Sequence, residues 1–121
     1  MKKTIAETKI LTLNVAEKPL GRAASKAASM LRGKEEVNFA PNMAPNIILH
    51  VKNIDRIKID IKKLETTGYL RYSGFPSGLK MTSLKKTLAD KGSKYIFVKT
   101  VKGMLPKNKL ADILIKKLQF K

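Results

Sequence analysis

The sequence holds no cysteine and no tryptophan, a single histidine, and only 9 acidic residues among 121. Each shortage closes a route to function. Without cysteine there is no disulfide and no thiolate metal site, which fits a reducing compartment. With one histidine, His50, the chain offers no dense set of metal ligands and no ready catalytic triad. His50 stands inside the apolar run "IILHVK", where a partly buried structural imidazole is a simpler reading than a general base. Asp55, Asp60 and Glu65 lie near one another in sequence and read as solvated charges on a basic protein. Long apolar runs are missing too: "IIL" at 47–49 falls far short of the roughly 20 residues that cross a bilayer. The start, "MKKTIAETKILTLNVA", has the basic head of a signal peptide, but Glu7 and Lys9 interrupt the apolar centre such a peptide needs. No catalytic residue, metal, cofactor or small-molecule substrate is expected, and no membrane partner.

Positive charge is what the chain has in excess. Its 26 Lys and Arg give a formal charge of +17 and a pI near 10.2. Such a balance repels itself unless a polyanion neutralises it. An anionic membrane would call for a basic amphipathic helix or a polybasic tail, whereas this charge is spread along the chain. Nucleic acid is therefore the first candidate partner. Residues 66–121 carry 13 basic against 2 acidic residues and residues 1–65 carry 13 against 7, so the stronger footprint is expected in the second half. Four of the basic residues are arginines: Arg22, Arg32, Arg56 and Arg71. Guanidinium offers a rigid two-pronged donor where ammonium offers a hydrated point charge, which favours arginine for oriented phosphate or base contacts. Arg56 adjoins Asp55, and pairing with that carboxylate is its simpler reading.

The length and a hydrophobic content of 43% fit one domain, 1–121, with a real core. "KILTLNV" (9–15) alternates like a strand. After Pro19, the residues Leu20, Ala23, Ala24, Ala27, Ala28 and Leu31 recur at helical spacing, and Gly33 is placed to cap that helix. The Pro/Asn-rich "APNMAPN" (40–46) leads to a second strand at 47–51, a tight turn through Asn53 to Arg56, and a third strand at 57–61. Residues 67–74 read as a fourth strand or an extended arm, and "GFPSG" as a loop. Ser83 can cap a short helix that Gly92 stops, leaving Lys91 on a surface loop. The segment 93–105 fits a strand by propensity and a helix by its apolar stripe. Residues 107–120 read as a helix with a short tail. Strand, helix, strand, strand and then helices is an α/β pattern, with helices covering a small sheet.

The glycine segment "RYSGFPSGLK" lacks the spacing of a nucleotide-binding P-loop. It does place a guanidinium (Arg71), a ring (Tyr72), a hydroxyl (Ser73) and an ammonium (Lys80) around a backbone free to approach a ligand closely.

Three segments, "LGRAASKAASMLRGK" (20–34), "RYSGFPSGLK" (71–80) and "VKGMLPKNKL" (101–110), together resemble the signature segments of the bacterial-type ribosomal protein thirteen family of the large subunit. The resemblance covers nearly the whole chain. It implies a three-layer α/β/α fold around a small, mostly parallel sheet of about four strands, and no enzymatic activity. It also implies binding to large-subunit ribosomal RNA early in assembly, next to other large-subunit ribosomal proteins, in the cytoplasm. By matching position it implicates Arg22, Lys26, Arg32 and Lys34 in the first segment, Arg71, Ser73 and Lys80 in the second, and Lys102, Lys107, Asn108 and Lys109 in the third. Tyr72 stands where the family commonly has histidine, and Ala111 and Asp112 where it usually has Gly-Arg. The resemblance also resolves 94–104 as helix.

On that reading Pro106 makes an elbow. It cannot donate a helical hydrogen bond and it pushes Leu105 out of the α region, so one helix is expected to end near Met104 and the next to begin at Pro106. Lys102, Lys107 and Lys109 would then crowd a helix N-terminus and make an anion site, with Met104 and Leu105 anchoring it to the core. A small nucleotide-binding α/β enzyme and a nonspecific nucleic-acid-binding protein are the alternatives. Saturable mononucleotide binding would mark the first, and indifference between duplex DNA and structured RNA the second.

Overall fold

The computed structural model describes residues 7–121, so the first six residues of the leader-like start lie outside it. In chain order the elements are β1 (Lys9–Asn14), α1 (Leu20–Arg32), β2 (Ile47–Lys52), a 3-10 turn (Ile54–Arg56), α2 (Ile61–Thr66), β3 (Gly68–Tyr72), β4 (Leu79–Ser83), α3 (Leu84–Met104), α4 (Lys109–Lys116) and β5 (Leu118–Phe120). The expected α/β class is present, with helices packed on a parallel sheet of order β1-β2-β5.

Register explains where the core sits. Leu11 pairs with Leu49, Leu13 with Val51, Leu49 with Leu118 and Val51 with Phe120, so strand alternation lines these side chains up on one face. Their partners in the core are Ala23, Ala24, Ala27, Ala28 and Leu31 of α1, Phe97 and Val101 of α3, and Ala111 and Leu114 of α4. The alanine face brings α1 close to α3, and each large side chain buried there, such as Leu31 or Phe97, stabilises the fold by about 1.5–3 kcal/mol. Phe97 meets Phe120 edge to face at 6.1 Å between ring centroids, tying α3 to the last strand.

Several local signals act as expected. Gly33 adopts the left-handed conformation that ends α1 (φ 71°), and the Ser83 hydroxyl accepts from the Lys86 amide at 3.3 Å to start α3. Gly92 breaks α3 into two arms at φ 82° and ψ 175°. The second arm is helical in spite of its strand formers, because Ile96, Phe97 and Val101 all reach the interior from a helix.

Other expectations are corrected. The third strand at 57–61 does not form; a single bridge, Pro19 to Lys58, is all the ladder there. Asp60 explains this, since its carboxylate accepts from the Lys62 amide at 3.3 Å and caps α2. Ile61, expected to end that strand, instead opens α2 and is 73% exposed. The third strand of the sheet is β5, in the short tail that the sequence leads one to expect after the last helix. β3 forms as expected but pairs antiparallel with β4, a strand not foreseen, in a separate two-stranded ribbon.

Candidate nucleic-acid interface

The elbow between α3 and α4 exists, but its details differ from the sequence reading. Leu105 is extended (φ −79°, ψ 152°) and buried, as expected of a residue before proline. Helix α4, however, begins at Lys109 rather than at Pro106. The Asn108 side chain accepts from the Ala111 amide at 3.2 Å, and an asparagine acceptor decides a helix start more strongly than the tolerance of proline in a first turn. Met104 does not anchor the corner: it is exposed. Lys102 is not turned to solvent alone, because its ammonium lies 3.0 Å from the Asp112 carboxylate in the first turn of α4. The corner is thus a mixture of cations with one acidic group, and Asn108 serves it as a cap.

Three hollows run along this side. The first, about 470 Å³, lies among Ser25, Ser29, Arg32, Lys34 and Met104. A small second one joins Arg32 to Pro106 and Asn108, and the third, about 350 Å³, is walled by Lys102, Pro106, Lys107, Asn108, Lys109 and Asp112. Arg32 is common to the first two, and Pro106 and Asn108 to the last two. The end of α1 and the elbow therefore lie along one edge that is basic at both ends and largely apolar at the join, where Phe39, Pro41, Met43 and Pro45 line the second hollow. Arg32 is held in place from behind, its guanidinium lying 5.8 Å from the Phe39 ring centroid. Lys34 follows the glycine cap, where its amide bonds to the Ser29 carbonyl at 3.3 Å.

Arg71 and Lys80 belong to a different place. They are register partners across the β3–β4 ribbon and line a hollow of about 320 Å³ between the ribbon and α3. Helix α3 adds Lys86, Lys91 and Lys99, with Asp90 the one acidic residue in the lining. Two tyrosines complete it. The Lys99 ammonium is 4.0 Å from the Tyr69 ring centroid and 5.7 Å from that of Tyr95, and Lys91 is 4.4 Å from Tyr95. The ammoniums of Lys99 and Lys91 hold the Tyr95 phenol below its usual range, while burial, and then Tyr95 itself, push the Tyr69 phenol up.

The remaining site candidates lie outside these hollows. Arg22 and Lys26 are exposed on α1, and Tyr72 and Ser73 are exposed where the ribbon meets its tip. The tip itself is built on Gly78: a Cβ there would stand 2.0 Å from the Ser73 hydroxyl and 2.9 Å from the Phe75 carbonyl oxygen. Arg56 does not pair with Asp55. Among the described residues the ion pairs are Lys9 with Glu36 at 3.5 Å and Lys102 with Asp112, so most of the positive charge of the described residues meets no carboxylate among them. No group of three or more His, Cys, Asp or Glu side chains is arranged to hold a metal ion among the described residues, and no described helix is long and apolar enough to cross a membrane.

The family model described as ribosomal protein L13 matches residues 8–120, from β1 to β5. The chain belongs to the ribosomal protein L13 family. Relatives in that family include the large ribosomal subunit protein uL13 of Thermus thermophilus, 42% identical over 93% of this chain and 80% of that protein. The protein of the same name from Desulfovibrio desulfuricans is 43% identical over 88% of this chain and 74% of its own length. That of Wigglesworthia glossinidia brevipalpis is 36% identical over 98% and 83%.

For this L13-family chain the residues expected from the sequence include Arg32, Lys34, Lys102, Lys107, Asn108 and Lys109 along the elbow side, but only Arg71 and Lys80 of the ribbon hollow. Lys86, Lys91, Lys99, Tyr69 and Tyr95 are not among those expected residues, and Lys91, expected on a surface loop, lies in α3 and lines the hollow. A signal was present in part: Tyr95 and Lys99 stand four residues apart on the second arm of α3, the spacing of one helix face, whereas Lys91 comes to Tyr95 from across the break at Gly92.

Proposed function

We propose that the chain is a structural, non-enzymatic protein of the large ribosomal subunit, in the cytoplasm. On this reading it acts as one domain that binds large-subunit ribosomal RNA early in assembly and contacts neighbouring large-subunit ribosomal proteins. The observation that carries the reading is the basic edge from Arg32 and Lys34 through Asn108 to Lys107 and Lys109, in a chain of this family. Its two ends present the Arg32 guanidinium and several ammonium groups against one carboxylate, Asp112, a composition suited to phosphate, and the apolar join between them suits sugar. Recognition then rests on the shape of folded RNA more than on its base edges. Arg22 and Lys26 on α1 extend the same surface chemistry, and Arg71, Tyr72, Ser73 and Lys80 offer a second area of contact on the ribbon.

Two measurements test this. In sedimented cell extract the protein is expected to travel with large subunits; finding it in the soluble fraction alone overturns the proposal. With purified RNA, about 6–10 phosphate contacts predict a loss of affinity of about 10³ to 10⁵ between 50 and 200 mM salt. A flat salt profile would remove the electrostatic basis of the reading.

A further inference from the structure

We propose that the hollow between the β3–β4 ribbon and α3 binds one unstacked nucleotide of single-stranded RNA, its phosphate among the cations and its base against Tyr69 and Tyr95. This rests on the RNA-binding reading and adds to it a site, and a ligand class, away from the basic edge. The first argument is charge. Arg71 and Lys80 stand directly opposite each other across the ribbon, a pairing of like charges that weakens a two-stranded sheet by itself. Helix α3 then brings Lys86, Lys91 and Lys99 to the same space against the single carboxylate of Asp90. An anion in the hollow would relieve this repulsion, and the non-bridging oxygens of a phosphodiester accept charge-assisted hydrogen bonds from such donors.

The second argument separates a nucleotide from a bare phosphate. Tyr69 and Tyr95 share the lining with the cations, and aromatic rings beside a phosphate site suit a base. The volume, about 320 Å³, lies at the low end of small-ligand sites and leaves no room for a base pair with its neighbours. Bases inside an RNA helix present only their edges, so the ligand is a nucleotide out of its stack. In the unbound chain the ring faces are covered by the Lys99 and Lys91 ammoniums. Phosphate draws these ammoniums away and leaves a ring face to the base. Base binding therefore depends on the phosphate, and a nucleoside alone binds poorly.

The test uses the full chain with a short single-stranded oligouridylate, uridine and inorganic phosphate as probes, followed by amide and side-chain NMR shifts. Affinity for large-subunit RNA is measured in parallel. Oligouridylate is expected to shift Tyr69, Tyr95 and Lys99 and to bind more tightly than phosphate or uridine. Tyr95→Leu is expected to weaken both oligouridylate and large-subunit RNA by about 5-fold to 150-fold, the range for loss of one stacked base. Lys99→Gln should weaken oligouridylate as well. Lys52→Ala and Lys62→Ala, exposed charges outside the hollow, should leave it within about twofold. Circular dichroism checks that each variant folds. If phosphate displaces oligouridylate at equal concentration and Tyr95→Leu binds RNA like the wild type, the hollow is an anion site only and the proposal fails, while the RNA-binding function stands. If the wild type binds oligouridylate as described but not large-subunit RNA, the hollow stands and the ribosomal reading fails.

Discussion

The Lys102 ammonium lies 3.0 Å from the Asp112 carboxylate, a pair that spans the elbow from the last turn of α3 to the first turn of α4. Both side chains are more than half exposed, so the pair contributes at most about 1 kcal/mol to stability. Its larger effect is on the electric field of the basic edge. Asp112→Asn releases Lys102 and removes the one negative charge in that wall, and RNA affinity is expected to rise about 2-fold to 10-fold at low salt and less at high salt. Filter binding at two salt concentrations measures this, and an unchanged affinity at both would show that RNA does not approach the elbow.

Asn108 and Pro106 divide the work of starting α4. Asn108→Ala deletes the acceptor for the Ala111 amide and is expected to cost about 0.5–2 kcal/mol in urea unfolding. Pro106→Ala, two residues outside the cap, is expected to cost less. The reverse ranking would mean that proline, not the cap, fixes the helix start.

Gly92 holds the two arms of α3 at φ 82° and ψ 175°, a region essentially reserved for glycine. Gly92→Ala has open space for its methyl group, so its expected cost of about 1–3 kcal/mol comes from the backbone alone. Thermal unfolding reads the loss. Wild-type stability would mean that the arms can straighten without penalty.

The tyrosines give an internal probe of the ribbon hollow. Positive charge favours the phenolate, so Tyr95 is expected to ionise at lower pH than an ordinary tyrosine; burial disfavours it, so Tyr69 is expected to ionise at higher pH. Ultraviolet titration, with Tyr95→Phe to assign the early step, measures both. Lys99→Ala should move the Tyr95 step up in pH, because the largest stabilising charge is gone. A Tyr95 step indifferent to Lys99 would separate the two side chains in solution.

What the sequence by itself determined are the features fixed within a few residues of chain. The left-handed cap at Gly33, the Ser83 hydroxyl at the head of α3, the break at Gly92 and the end of α3 before Pro106 all follow from local backbone sterics and short-range hydrogen bonds. The alternation in β1 and the alanine face of α1 are local too, and so is the wealth of lysine that points to a polyanion. The resemblance supplied one thing that local rules did not, the helix at 94–104.

Only the tertiary structure decided between local options of similar strength and joined distant ones. At 57–61 the alternation of a strand competes with the cap that Asp60 offers to α2, and the cap wins because β2 takes β5 as its neighbour instead. "LQF" carries too few residues to announce a strand; it becomes one because Leu118 and Phe120 fall into register with Leu49 and Val51. The ribbon hollow needs Tyr69 from β3, Lys80 from β4 and Lys99 from α3 in one place. Each is an ordinary residue in its own element. Their meeting depends on how the ribbon packs against a helix bent at Gly92, a non-local arrangement set by the burial of the whole core rather than by any segment's own preference.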